Sequence, residues 1–374
     1  MATNLDAILK KYAAQGTDTK NKVLGAAFVL TLSFFRHPLL RLSRPQPTLP
    51  LSAAFTPSSV TYIASMSKFP TSLRAMQLVE RGLLSLDDDV RPHLPELASS
   101  LVLKGFQSDG TPILEPYDVP VTLRQLLSHT AGLGYDIPDE DLIRWAREVK
   151  HTAKSTGGTL QGLMFPMRFV PGETWSYGTA IEWVGIPIER ITGKRLEEYM
   201  KEEIFDKLGM ESSGFYLRRL LEGGSGKEER FVPIAIRDTN VLRALAGGEE
   251  GLITKESAEL MVAPQLNKQQ REELEKIVYG EEVTWLTPLL ERKAEGPLDY
   301  GLAGMINLED MEGRRRAGSM MWLGTAGSHW WIDPKAGVGG VRFATVFPWG
   351  DPVIRDLFVE LERGVYEDLF HISK

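Results

Sequence analysis

The sequence predicts a mixed α/β (α+β) fold: one antiparallel sheet flanked by helices, with a mostly helical region inserted between its strands. Three observations predict it. Near the start of the chain, Gly25 to Phe35 is rich in Val, Leu and Phe and reads as a buried strand. From about residue 300 the texture turns β-rich, with Tyr300 to Ile306, Ser328 to Ile332 and Val341 to Val346 as strands. Between these ends the pattern is helical, broken by Gly and Pro turns. Strands at both ends and helices in the middle form one sheet only if the two ends meet.

Taken in order, Leu5, Ile8, Leu9 and Tyr12 share a face and predict a helix over 4–14. The strand at 25–35 follows. The stretch 36–59 carries Pro38, Pro45, Pro47, Pro50 and Pro57 and is expected to be irregular, because proline cannot donate to a strand ladder. Leu73, Met76, Leu78 and Val79 give a helix from about 65 to 82, ended by Gly82 and the Asp87-Asp88-Asp89 turn. Residues 101–120 read as a loop or hairpin with Asp109-Gly110 at its tip. Thr122 to Leu127 is a short capped helix, and Ser128 to Gly134 a loop. A charged helix at 140–150 and a Gly157-Gly158 linker precede the Pro171-Gly172 turn. Helices are expected at 180–192, 196–208, 255–262, 268–278 and 351–370, with a turn at Asp333 to Gly337. The expected arrangement is one domain over 1–374. Its sheet comes from 20–35 and 298–350 with terminal helices, and its helical region is 65–290. No repeat period is evident.

Composition narrows the function. The 374 residues are 43% hydrophobic and 25% charged, with a net charge of −7. No basic stripe argues for nucleic acid, and no polybasic or spanning segment argues for a membrane. The chain has no cysteine, which removes disulfides, thiolate metal sites and a cysteine nucleophile together. The first residues lack a signal-peptide pattern. Together these point to a cytoplasmic enzyme that needs no cofactor or metal.

The chemistry centres on Ser65-Met66-Ser67-Lys68. A serine and a lysine three apart lie one turn apart on one helix face. A serine hydroxyl is a poor nucleophile until a group takes its proton, and a lysine desolvated beside it is expected to do so with a pKa lowered by burial. Backbone N–H groups at the helix start can hold an oxyanion. The four-residue pattern alone is common, and an ordinary helix cap with a solvated lysine explains it as well. Tyr177, in a Gly-flanked polar loop, reads either as a phenolic acid/base or as a half-buried tyrosine with a satisfied hydroxyl. Trp322-Leu323-Gly324-Thr325 reads as a ligand-approached strand end or as a strand packed with small residues. His129 is expected to be structural, its ring bonding the loop backbone, with a serine–histidine base as the alternative. Met320-Met321 reads as core.

These pieces resemble the serine β-lactamase and penicillin-binding-protein superfamily. They do so in the order Ser65-x-x-Lys68, then Leu126-Leu127-Ser128-His129-Thr130-Ala131-Gly132-Leu133, then Tyr177-Gly178-Thr179, then Trp322-Leu323-Gly324. Gln77 to Asp88 looks similar too, so the resemblance spans 60 to about 350. It is to the class C-like esterase and lovastatin-type transesterase branch. The resemblance implies a β-lactamase/transpeptidase-like sheet flanked by helices. It makes Ser65 the acyl-forming nucleophile, Lys68 its activator, and Tyr177 the residue that protonates the leaving group. The N–H groups of Ser65 and Thr325 form the oxyanion hole, and Trp322, Gly324 and Tyr135 complete the substrate-binding set.

Departures from the pattern refine the reading. Thr179 stands where β-lactamases and DD-peptidases have Asn, and Trp322 where they have the lysine that binds substrate carboxylate. Both argue against β-lactams, and Trp322 is expected to line an apolar pocket. The Pro-rich 36–59 occupies the place of a second N-terminal strand, and its loss would leave an incomplete sheet edge. Pro70 inside the serine helix is expected to remove a hydrogen bond or kink the helix. The resulting expectation is a serine acyl-transfer enzyme of secondary metabolism. It moves an acyl group from an ester or thioester, including polyketide-type or carrier-bound donors, to a hydroxyl acceptor. Trp175, Trp183, Trp322, Trp330 and Trp331 are expected to suit a bulky apolar substrate. The rival readings are a carboxylesterase of small esters, a peptidase, and a non-catalytic binding protein.

Overall fold

The two ends of the chain do meet. The computed structural model describes residues 2–13, 22–23, 26–32, 39–43, 62–137, 139–216, 252–279, 296–325, 327–344 and 351–370. Strand β1 (Ala26–Leu32) pairs antiparallel with the last strand, β9 (Val338–Ala344), with Ala26 opposite Ala344 and Leu32 opposite Val338. The remaining strands are β2 (Leu39–Ser43), β5 (Leu298–Tyr300), β6 (Met305–Asn307), β7 (Met320–Gly324) and β8 (Ser328–Asp333). Together they form a seven-stranded sheet in the order β2-β1-β9-β8-β7-β6-β5, and every pair is antiparallel. A separate hairpin joins β3 (Val102–Phe106) to β4 (Pro112–Glu115), with Asp109-Gly110 at its tip.

Two expectations need correction. The Pro-rich stretch expected to be irregular contains β2, so the second N-terminal strand is present; the rest of 36–59 lies outside the described residues. Its prolines lie outside Leu39–Ser43, and β2 is an edge strand, where only one side of the ladder has to be satisfied. The single strand expected over Tyr300 to Ile306 is instead the tight hairpin β5–β6. The Gly301 N–H donates to Gly304 O at 2.8 Å, closing the turn.

The helices are α1 (Ala2–Tyr12), α2 (Lys68–Glu80), α3 (Pro95–Ala98), α4 (Leu123–Leu127), α5 (Glu140–Glu148) and α6 (Leu160–Leu163). They continue with α7 (Ala180–Thr192), α8 (Leu196–Met200), α9 (Lys255–Met261), α10 (Lys268–Tyr279) and α11 (Pro352–Phe370). Capping fixes several of them. Thr122 and Gln125 form a reciprocal capping box on α4, and Gly193 ends α7 in the left-handed region. The expected helix at 196–208 is α8 followed by a π-helical turn, Lys201–Phe205. Among the described residues, no helix is long and apolar enough to cross a membrane.

Strand periodicity divides the core into two layers. On one face, Trp331 stacks on Phe28 and meets Phe358 of α11, and His329 stacks on Phe358 at 3.6 Å. On the other face, Trp330 packs on Phe69 of α2, and Trp322 lies opposite Trp330 in the β7–β8 ladder. The sheet thus separates the terminal helices from the serine helix.

Glu362 of α11 is fully buried and ties that helix to the loop before β7. Arg314 donates to its Oε2 at 3.0 and 2.7 Å, and Arg315 Nε lies 2.8 Å from Oε1. Glu362→Gln leaves two buried guanidinium groups facing a neutral amide. It should destabilise the protein by about 3–5 kcal/mol, read as a lowered urea midpoint with unchanged m-value.

Candidate active site

Ser65 sits on a 3₁₀ turn, Ala64–Ser67, rather than inside the α-helix expected to begin there; α2 starts at Lys68. The turn continues directly into α2, so Ser65 and Lys68 keep their one-turn spacing. Ala64 has φ +46°, a left-handed conformation that costs a non-glycine residue about 1–3 kcal/mol. The residue presenting Ser65 is therefore strained. Pro70 does not break the helix. It is the third residue of α2, in the first turn, where the fixed φ of proline is tolerated.

Strand β7 reaches this turn because its last residue is glycine. A Cβ on Gly324 would lie 2.3 Å from Ile63 O and 2.6 Å from Ser328 Oγ. The absent side chain lets the backbone before Ser65 lie against the end of β7. A second close approach sets Tyr177: a Cβ on Gly178 would lie 1.8 Å from Leu133 O. The Tyr177 loop therefore lies flat on Leu133-Gly134, beside Tyr135. Thr179 Oγ1 donates to Gly134 O at 3.4 Å, so Thr179 ties these loops together.

Lys68 is buried at the centre of the site. Its Nζ donates to Tyr135 Oη at 2.8 Å and to Glu182 Oε1 at 2.8 Å. Tyr135 also hydrogen-bonds Glu182 Oε1, closing a three-membered network. Lys68 Nζ lies 5.4 Å from the centre of the Tyr177 ring. Trp322 stands behind Tyr177, its indole N–H pointing at the phenolic oxygen at 3.4 Å and the ring centroids 5.0 Å apart. Structure thus brings Lys68, Tyr135, Tyr177 and Trp322 into one cluster, and Ser65 lies one turn before Lys68 on the same stretch of helix.

The electrostatics overturn one expectation. Burial pushes the Lys68 ammonium down, but the Glu182 carboxylate, with Tyr135 and Tyr177, outweighs it and holds its pKa well above the ordinary lysine value. Lys68 is a resting ammonium, not a lysine neutralised by burial. Burial also pushes the Tyr135 phenol well above its usual range, with Glu182 adding and Lys68 opposing.

Three further expectations change. His129 is buried under Tyr177, with ring centroids 4.7 Å apart, but neither ring nitrogen has a hydrogen-bond partner among the described residues. Burial, reinforced by Lys68, keeps it neutral. Its structural part is played by its backbone, at φ +59°, whose carbonyl accepts from Ser176 N–H at 3.1 Å. Trp322 is 1% exposed, so it backs Tyr177 instead of lining an apolar pocket. Trp175, Trp183, Trp330 and Trp331 are equally buried and belong to the core. Sequence reasoning missed Glu182. The available signal was a single carboxylate between Ile181 and Trp183 in an apolar helix, four residues after Gly178.

Comparison with known proteins finds relatives over most of the chain. The family model described as Beta-lactamase matches residues 50–363. The chain is 29% identical over 351 residues to lovastatin esterase of Penicillium rubens, covering 83% of this chain and 85% of that protein. It is 31% identical over 343 residues to monacolin J acid methylbutanoyltransferase of Aspergillus terreus, covering 81% of each. A mutant of simvastatin synthase from Aspergillus terreus superposes with a TM-score of 0.84 at 27% identity, over 98% of both chains.

Two outcomes follow from the site. Gly324→Ala forces the Ile63 carbonyl away from β7. It should cost about 1–3 kcal/mol and reduce labelling of Ser65 by a fluorophosphonate probe. Because the folded-state pKa of Lys68 is raised, its stabilising contribution is complete below the unfolded lysine pKa of about 10.4. It is lost only as pH rises through the higher folded value. The stability gap between the protein and Lys68→Met should therefore stay constant across neutral pH and close only in strong alkali, as urea midpoints measured over a pH series would record.

Proposed function

The chain belongs to the beta-lactamase family, and within it we propose a serine acyltransferase that works through an acyl-Ser65 intermediate. The observation that carries this reading is the cluster of Lys68, Tyr135 and Tyr177 beside the Ser65 turn, a proton-transfer apparatus adjoining an oxyanion-binding backbone. An ester or thioester donor enters with its carbonyl oxygen toward the N–H groups of Ser65 and Thr325. Ser65 Oγ bonds to the acyl carbon, and its proton leaves by way of Lys68. Tyr177 delivers a proton to the departing alcohol or thiol. A hydroxyl acceptor then repeats the sequence in reverse and removes the acyl group.

Two features support a substrate other than a β-lactam. Thr179 is engaged with Gly134, and Trp322 backs Tyr177, so neither offers the polar contacts that a carboxylated lactam requires. Similarity to acyltransferases of secondary metabolism supports a hydroxylated metabolite as acceptor and a thioester, carrier-bound forms included, as donor. Hydrolysis is the second reading, favoured by the similarity to lovastatin esterase. The first half-reaction is common to both, and exclusion of water from the acyl-enzyme separates them.

The test is intact mass after mixing with a short acyl thioester, with and without a set of alcohols. An acyl adduct should form, be absent in Ser65→Ala, and discharge to an alcohol faster than to water. Discharge to water alone would make the protein an esterase. No adduct with any thioester or activated ester would remove the acyl-enzyme.

A further inference from the structure

An ammonium has three donors and no lone pair. Lys68, held charged, therefore cannot take the Ser65 proton unless it passes one of its own onward. Its two hydrogen bonds go to Tyr135 and Glu182, and among the described residues Glu182 is the only carboxylate it touches. We propose that Glu182 is the proton-holding partner of Lys68, a reading that rests on the acyl-Ser65 mechanism above. As Ser65 Oγ bonds to the acyl carbon, its proton passes to Lys68 Nζ while a Lys68 proton passes across 2.8 Å to Glu182 Oε1. When the tetrahedral intermediate collapses, the proton returns from Glu182 through Lys68 to Tyr177, which gives its own to the leaving group. Glu182 acts through Lys68, as a positioning residue.

Three observations carry this beyond the salt bridge itself. Tyr135 bonds the same carboxylate oxygen that faces Lys68, so that oxygen is fixed in the transfer direction. The other oxygen, Oε2, is buried with no hydrogen-bond partner among the described residues. The carboxylate therefore keeps acceptor capacity that no neighbour occupies. Finally, Glu182 lies in the first turn of α7, the helix that packs on α2, so the carboxylate is presented to Lys68 from a fixed element.

The experiment follows acylation by a p-nitrophenyl ester against pH, with the adduct located on Ser65 by mass. The wild-type rate should be nearly flat around neutrality. Glu182→Gln keeps the shape but cannot take a proton. Its kcat should fall roughly a hundredfold with little change in KM. With the carboxylate gone, burial lowers the Lys68 pKa, so the rate should climb with pH up to that lowered pKa and level off above it, because Lys68 must first lose its proton to solvent. Glu182→Asp, which keeps a carboxylate, should recover much of the rate. A Glu182→Gln rate close to wild type with the same profile would overturn the proposal, as would a loss that does not reverse with pH. If Glu182→Gln melts out in circular dichroism, Glu182→Ala with added formate replaces it: rescue by formate but not chloride supports the relay, and no rescue overturns it. A wild-type protein that forms no Ser65 adduct would remove the acyl-enzyme and this relay with it, and that failure is read on the wild type alone.

Discussion

The site depends on one ion pair, between the buried Lys68 and the half-buried Glu182. Lys68 is 5% exposed, and a charge so enclosed persists only if its lost hydration is replaced. Glu182 and Tyr135 replace it. Each belongs to a different segment: the start of α2, the loop after α4, and the first turn of α7. The network therefore fixes three independent pieces of chain at one point. Because the energy of the pair is offset by desolvation, its value lies in geometry more than in stability: it orients the ammonium and defines where a proton can go.

Around that charge, the backbone does the positioning. The site has two contacts that no side chain could occupy, at Gly324 and Gly178, and two residues held in the left-handed region, Ala64 and His129. Close backbone approach gives tighter tolerances than side-chain packing, since a peptide unit has no rotamers to adjust. Buried aromatics stiffen the arrangement from behind: Tyr177 is backed by Trp322 and His129, and these in turn by Tyr300. A neutral, unbonded His129 suits this place, because a charged imidazolium beside Lys68 would weaken the ammonium's hold on its partners.

Most of the fold was legible because its signals are local. The periodicity of α7 and α11, the Thr122 capping box and the Asp333–Gly337 turn are written in neighbouring residues. The ordered motifs around Ser65, Lys68 and Tyr177 were legible for the same reason. What was not legible depends on position relative to distant parts. Proline counts over 36–59 concealed β2, because only the sheet order reveals that this is an edge. Pro70 looked disruptive until the helix start was known to fall at Lys68. Tryptophan content suggested an apolar pocket, yet nothing local distinguishes a core indole from a pocket wall. Glu182 was hidden most deeply. A glutamate in a first helical turn is ordinary, and its meaning comes from a lysine 114 residues away.

The pairing of β1 with β9 has a consequence for how the protein is made. Ala26 pairs with Ser43 on the edge side, but its partner toward the middle of the sheet is Ala344, so nearly the whole chain must leave the ribosome before the centre of the sheet can close. Until then β1 has an unpaired edge and an apolar face with nothing to cover it. Contacts of such sequence separation slow folding. The helical region between the strands can form earlier from its local contacts, and the last strand then acts as a latch. Shortening the chain at its C-terminal end would therefore remove more than a helix, because it would take away the strand that lets the first one fold.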